Sequence, residues 1–295
     1  MPHVHRSKKL QLAARNGKLR ARTLVYSHPE QALAVDRSFG GNAGATACTR
    51  EIWMPGTMKT VIVTGGSQGI GSGIVQEFLE RDYGVVATSR KITTSQHLPS
   101  SSMLALVNGD ISEAATAAKV ADTALARFGS IDALVNNAGI FFMKPFTDYT
   151  AEEFNALVSV NLGGFINMTQ LAIRQMLSQG KGGSIVSITA SLADNPIAGA
   201  SASIPMMTKA GIGAMTRSLA IEYAKDQIRV NAVSPGPVDT PLNRDNPQDF
   251  LQRLSPMGSI STVQEIVDAV IYLTEARNVT GEVLHVDGGA HAGKW

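Results

Sequence analysis

The sequence predicts a doubly wound α/β domain, one parallel sheet of about seven strands with helices on both faces, filling residues 58–295 behind a basic leader of residues 1–57. Three observations predict it. Short β-branched runs recur at 61–64, 85–88, 104–107, 133–135, 184–189, 229–233 and 282–286. Most of the intervals between them carry apolar residues at three- and four-residue spacing, as in Phe154, Leu157, Val158 and Leu162, and later Ile266, Val267, Val270 and Ile271. Strands alternating with helices require right-handed crossovers and hence a parallel sheet covered on both faces. Finally, 44% hydrophobic and 17% charged residues exclude a chain disordered throughout. A length of 295 residues is compatible with two domains, but no internal repeat or low-complexity linker divides 58–295.

Taken in order, the leader comes first. It shows no sustained period of 2 or 3.6, is interrupted at Gly40, Gly41 and Gly44, and reads as unstructured. It holds nine Lys or Arg against Glu30, Asp36 and Glu51, a net of 9 − 3 = +6, so the formal +2 of the whole chain leaves 2 − 6 = −4 for the remainder. The basic balance therefore belongs to a segment and gives the folded part no nucleic-acid signature. An upstream extension, an organelle-targeting peptide and a basic arm for an anionic partner all fit the leader. The single cysteine, Cys48, excludes a disulfide framework, and His97, His285 and His291 have no ligand spacing, so no metal site is expected. No apolar run approaches the ~20 residues needed to span a bilayer, which reads as a soluble, cytoplasmic chain without a membrane partner.

At Met58 the pattern changes abruptly to the first strand. Thr150 with Glu153 and Thr262 with Glu265 have the spacing of capping boxes, in which hydroxyl and carboxylate each satisfy a free backbone amide, and so mark two helix starts. Thr64-Gly65-Gly66-Ser67-Gln68-Gly69-Ile70-Gly71 follows the first strand and opens the first helix. Glycines there let the backbone turn sharply and approach a pyrophosphate, whose charge is favoured by the unpaired amides and positive dipole end of the helix. A glycine cluster alone also fits a plain tight turn, and it is the position between strand and helix that points to a Rossmann-like dinucleotide site.

This turn resembles that of the short-chain dehydrogenase/reductase family, Thr-Gly-x-x-x-Gly-Ile-Gly. Further family-like elements follow in order: Gly109-Asp110-Ile111, Asn136-Asn137-Ala138-Gly139, Val160-Asn161-Leu162, Ser234-Pro235-Gly236 through Thr240, and Val286-Asp287-Gly288-Gly289. The resemblance covers essentially all of 58–295. It implies that Gly65, Ser67, Gln68, Gly69, Ile70 and Gly71 cradle the cofactor phosphates, that Asp110 and Ile111 meet the adenine, and that Asn137, Ala138 and Gly139 line the nucleoside. Pro235, Gly236, Val238 and Thr240 would hold the nicotinamide end. At the tip of strand two, Ser89 stands where an acidic residue would accept the ribose hydroxyls, and Arg90 follows it, which favours NADP over NAD. By the same resemblance the chain assembles as a homodimer or homotetramer and takes a small-molecule substrate.

In this family a Tyr moves the proton at the substrate oxygen, a Lys four residues later lowers its pKa and binds the ribose, a Ser steadies the oxygen, and an Asn holds a water linked to the Lys. Lys209 and Asn161 match, with Lys209 also among the cofactor-binding residues. Four residues before Lys209 stands Pro205, which has no proton to donate. The serine register falls between Ala190 and Leu192, favouring Ser191 with Thr189 as its rival. Lys209, a water between Asn161 and Lys209, or the hydroxyls of Ser191, Ser203 and Thr208 remain as donors. Two functions follow: an NADP-dependent oxidoreductase acting on a small carbonyl, alcohol or activated alkene, or a non-catalytic dinucleotide-binding sensor or oligomer partner. Residues 241–260 read as a mobile lid, and Met206 and Met207 as an adaptable apolar wall or as core filler.

Overall fold

The computed structural model describes residues 25–28, 31–33 and 58–294. The chain divides into two compact units, Met1–Ile52 and Trp53–Trp295. In the first, Val25–His28 and Gln31–Leu33 pair antiparallel, so the expected lack of regular structure is corrected for these residues. The rest of the leader, and what was expected of it, lies outside the described residues.

In the second unit the seven expected strands form one parallel sheet. They are β1 Thr60–Thr64, β2 Gly84–Ser89, β3 Leu104–Asn108, β4 Ala133–Asn136, β5 Gly183–Ile188, β6 Ile228–Pro235 and β7 Val283–Val286, in spatial order β3-β2-β1-β4-β5-β6-β7. Side chains alternate across the sheet, so both faces must be covered. Val61 and Val63 enter one core with Ile74, Val75 and Phe78 of α1 (Gly69–Glu80) and Ile266, Val267 and Val270 of α7 (Val263–Glu275). Ile62, between them on β1, enters the other core with Val120 of α2 (Ala114–Phe128), Met168 of α4 (Gly164–Gln179) and Ala220 of α5 (Ser203–Glu222). A short α6, Gln248–Gln252, interrupts the segment expected to be a lid.

Both capping boxes are present. Thr150 Oγ1 accepts from Glu153 N at 3.2 Å while Glu153 Oε2 accepts from Thr150 N at 2.9 Å, and Thr262 and Glu265 repeat the exchange. The helix that Thr150 starts is not uniform: α3 (Ala151–Leu157) passes through a π-helical turn, Val158–Gly163, into α4. The stretch Ala151–Gln179 is 29 residues long with a window of mean hydropathy 1.4, enough by length and composition to cross a membrane. The expectation that no stretch reaches that measure is corrected. A search for unbroken apolar runs passes over a helix punctuated by Asn155, Ser159, Asn161 and Asn167, whose Phe165, Met168, Ala172 and Met176 are buried in the domain.

The chain turns to one side after β1 to place β2 and to the other to place β4. This switch point opens a crevice at the carboxyl ends of β1 and β4, where ligands bind in such sheets.

Candidate active site

The glycine turn lies in that crevice, pinned from β4. Asn137 Nδ2 donates to Thr64 O at 3.0 Å and Gly65 O at 3.1 Å, while the amides of Asn137 and Ala138 both donate to Thr64 Oγ1 at 3.0 Å. Gly65 has φ +67°, and a Cβ there would stand 2.8 Å from Asn137 Nδ2. A Cβ on Gly71 would run into the Gly65 carbonyl. At Gly65 and Gly71 the turn is therefore built so tightly that only glycine fits. α1 begins at Gly69 with no side-chain cap and no acidic residue in its first turn, so its first amides and positive dipole end are available to an anion. The donor set fits a pyrophosphate. Ser95 Oγ donates to Ser67 O at 2.6 Å, tying the turn to the segment after β2. Gln68 and Arg90 are exposed, and Arg90 enters no ion pair among the described residues.

Asp110 and Ile111, expected at the adenine, both have partners within the protein. Asp110 Oδ1 accepts from Ser112 N at 2.9 Å and Ser112 Oγ at 2.7 Å, and these hydrogen bonds, with a smaller contribution from Arg90, hold its carboxyl below the usual range. Ile111 is 8% exposed and packs so closely on Gly164 that a Cβ there would meet its Cγ2 at 2.8 Å. Its side chain packs in the core on the α4 side of the sheet. Ala138 likewise packs on that core rather than bordering the cavity described next.

A cavity of ≈ 210 Å³ brings together Ile70, Asn137, Gly139, Ser191, Lys209, Pro235, Gly236, Val238 and Thr240. Thr189 borders it as well, but its Oγ1 donates to Val233 O at 3.1 Å. Ser191, 4% exposed, makes no side-chain hydrogen bond among the described residues. Its hydroxyl can therefore turn to a ligand, whereas that of Thr189 is already engaged. Ser203 and Thr208 do not border the cavity; Thr208 Oγ1 donates to Pro205 O at 2.7 Å. Neither Met206 nor Met207 lines it, and the methionine that does is Met143 on the loop after β4, so the expected methionine wall is corrected. Met207 is 45% exposed because it sits on the far side of α5.

α5 starts at Ser203. Pro205 thus falls in the first helical turn, where its missing amide hydrogen deprives the helix of nothing. Pro205 is buried and outside the cavity lining, whereas Lys209, one turn on, reaches the cavity and donates from Nζ to Ile188 O at 2.8 Å. Burial lowers the Lys209 pKa to about 8. No other Lys, and no Arg, His, Asp, Glu, Tyr or Cys, borders the cavity among the described residues.

Asn161 lies in the π turn, 2% exposed, and all its hydrogen-bonding capacity is directed across the site. Oδ1 accepts from Ile140 N at 2.8 Å, and Nδ2 donates to Ile140 O and Thr208 Oγ1, each at 3.0 Å. A Cβ on Gly139 would be 3.2 Å from Asn161 Oδ1 and 3.3 Å from Lys209 Nζ, so both groups look over the same bare backbone. The space above Gly139 is where a water joining them would sit. Sequence periodicity could not reveal the π turn, since the apolar spacing runs through it unbroken; the signal was Asn161 itself, a polar residue on a buried face.

Comparison with known proteins agrees with this geometry. A family model described as enoyl-(acyl carrier protein) reductase matches residues 65–291. The chain is 34% identical over 247 residues to 3β-hydroxysteroid dehydrogenase 1 of Eggerthella lenta, an alignment covering 78% of this chain and 93% of that protein. It is 35% identical over 245 residues to the NADP-dependent (R)-specific alcohol dehydrogenase of Lentilactobacillus kefiri, covering 78% and 96%. The solved structure of ElxO with NADP bound superposes with a TM-score of 0.75 at 28% identity, over 80% of this chain and 100% of that one.

Proposed function

The chain belongs to the short-chain dehydrogenase/reductase family, and from that premise we propose that it is an NADP-dependent oxidoreductase interconverting a small carbonyl and its alcohol, with Lys209 as the proton donor. One observation carries the reading: Lys209 is the single titratable side chain on the cavity among the described residues, and burial brings its pKa to about 8, near working pH. Pro205 stands where the family has its Tyr, so the acid must come from elsewhere.

The cofactor phosphates would rest on the amides of the Gly65–Gly71 turn and on Arg90, which suits the extra 2′-phosphate of NADP. NADPH-bound and NADP-bound relatives support this choice. Bound nicotinamide supplies the hydride to the carbonyl carbon. The chain does the rest. Ser191 Oγ donates to the substrate oxygen and fixes its position. Lys209 Nζ, anchored on Ile188 O, gives a proton to that oxygen and is restored by solvent through a water over Gly139, held between Nζ and Asn161 Oδ1. Asn161 is a positioning residue, locked to Ile140 and Thr208 so that its acceptor keeps its aim. The cavity's apolar walls exclude bulk water and strengthen these polar interactions.

NADPH oxidation across a panel of aldehydes and ketones, with NADH in parallel, tests the proposal; turnover faster with NADPH supports it. Pro205 also favours a second reading, a non-catalytic nucleotide binder. That reading requires NADPH binding without turnover of any carbonyl, and gain of turnover by Pro205→Tyr would mark a lapsed site. We also place a homodimer or homotetramer contact on the exposed apolar side chains of α4 and α5, among them Ile166 and Ile221, at 40% and 80% exposure. Light scattering of wild type against Ile221→Glu checks it.

A further inference from the structure

Resting on the oxidoreductase reading, we propose that the substrate is a carbonyl compound whose body beyond the reacting oxygen is uncharged and apolar, an alkyl or cyclic ketone rather than a keto acid, sugar or phosphate ester. The argument lies in the half of the cavity away from the glycine turn. Three separate segments close on it: Phe141 and Met143 from the loop after β4, Leu192 from the loop after β5, and Leu242, Phe250 and Leu254 from the residues around α6. The amide groups of the two asparagines there are engaged within the protein. Asn243 Nδ2 donates to Val238 O at 2.9 Å, and Asn246 Nδ2 donates to Asn243 Oδ1 at 3.4 Å.

Charge decides between substrate classes. Lys209 is committed to the reacting oxygen, and no second cation borders the cavity among the described residues. A carboxylate or phosphate at the far end of a substrate would lose water and gain no partner, a cost that apolar walls cannot offset. A polyol would face the same walls with several unpaired hydroxyls. Each methylene instead gains about fourfold in affinity, the equivalent of ~0.8 kcal/mol of transfer. The cavity, at ≈ 210 Å³, is shared with the nicotinamide end, so the gain levels off after a few carbons.

The test is calorimetric titration of the full chain saturated with NADP⁺, a state in which a ketone binds but cannot be reduced. Linear 2-alkanones from butanone upward are compared with 4-oxopentanoate as the charged counterpart of 2-pentanone. Affinity should rise about fourfold per added carbon before levelling, with 4-oxopentanoate at least tenfold weaker than 2-pentanone. Leu242, 62% exposed at the cavity rim, can be replaced without opening the core, and Leu242→Lys should recover binding of 4-oxopentanoate. A flat alkanone series, no alkanone binding, or 4-oxopentanoate binding as tightly as 2-pentanone overturns the proposal while leaving NADP⁺ binding intact. Failure to bind NADP⁺ overturns the underlying reading before any ketone is added.

Discussion

Gly139→Ala probes the link between Asn161 and Lys209 most finely. The added methyl would stand 3.2 Å from Asn161 Oδ1 and 3.3 Å from Lys209 Nζ, a few tenths of an ångström inside comfortable contact. Asn161 cannot yield, since three hydrogen bonds to Ile140 and Thr208 fix it. Lys209, held at Nζ by the single bond to Ile188 O, gives way. The methyl also occupies the space of the water proposed to join the two groups. Gly139 does not have a positive φ, so backbone strain adds nothing and stability should change by less than about 1 kcal/mol. A displacement of this order at the reacting centre costs about 10–10²-fold in rate. The assay is single-turnover NADPH oxidation at saturating cofactor, with NADPH affinity measured separately by fluorescence. A rate equal to wild type, or a loss accounted for entirely by weaker NADPH binding, would refute the arrangement.

Three other outcomes follow from the same geometry. Arg90→Ser should weaken NADPH by about 10–100-fold, the worth of a charge-assisted contact, and leave NADH within about threefold; equal loss of both nucleotides argues against a phosphate contact. Gly71→Ala forces a methyl onto the Gly65 carbonyl, and an overpacking cost of about 3 kcal/mol should lower Tm by about 6–12 °C and remove NADPH binding; an unchanged melting curve contradicts the close approach. Thr208→Val deprives Asn161 Nδ2 of a buried acceptor and should slow turnover while KM for NADPH stays near wild type; a change in KM alone would speak for a purely packing role.

Much of the fold was legible because the residues that build it act locally. β-branched runs mark all seven strands, and Thr150 with Glu153 and Thr262 with Glu265 announce their helices through contacts spanning three residues. What escaped depends on tertiary contact. The π turn at Val158–Gly163 leaves no trace in the apolar spacing. Ile111 gave no sign that it packs on Gly164. Met206 and Met207 lie next to the catalytic motif in sequence, yet α5 starts at Ser203 and its rotation turns them from the cavity, which takes Met143 instead. In the site, the match of Lys209 and Asn161 to family motifs was readable from spacing. That Lys209 is the single titratable group on the cavity among the described residues is a property of the assembled walls, and no motif encodes it. That the Thr189 hydroxyl is taken up by Val233 O was likewise not readable from the sequence.

The central claim, that Lys209 supplies the proton, meets its most direct test in the pH dependence of carbonyl reduction at saturating NADPH. Reduction requires the protonated amine, so with a pKa of about 8 the rate should be flat below it and fall about tenfold per unit above it. At pH 7 about nine in ten molecules carry the proton and at pH 9 about one in ten. Lys209→Met should be about 10²–10⁴-fold slower than wild type below pH 8 and should lack that alkaline limb, so that the difference narrows as the pH rises. A wild-type rate unchanged from pH 6 to pH 10, or an alkaline limb that persists in Lys209→Met, would contradict the account.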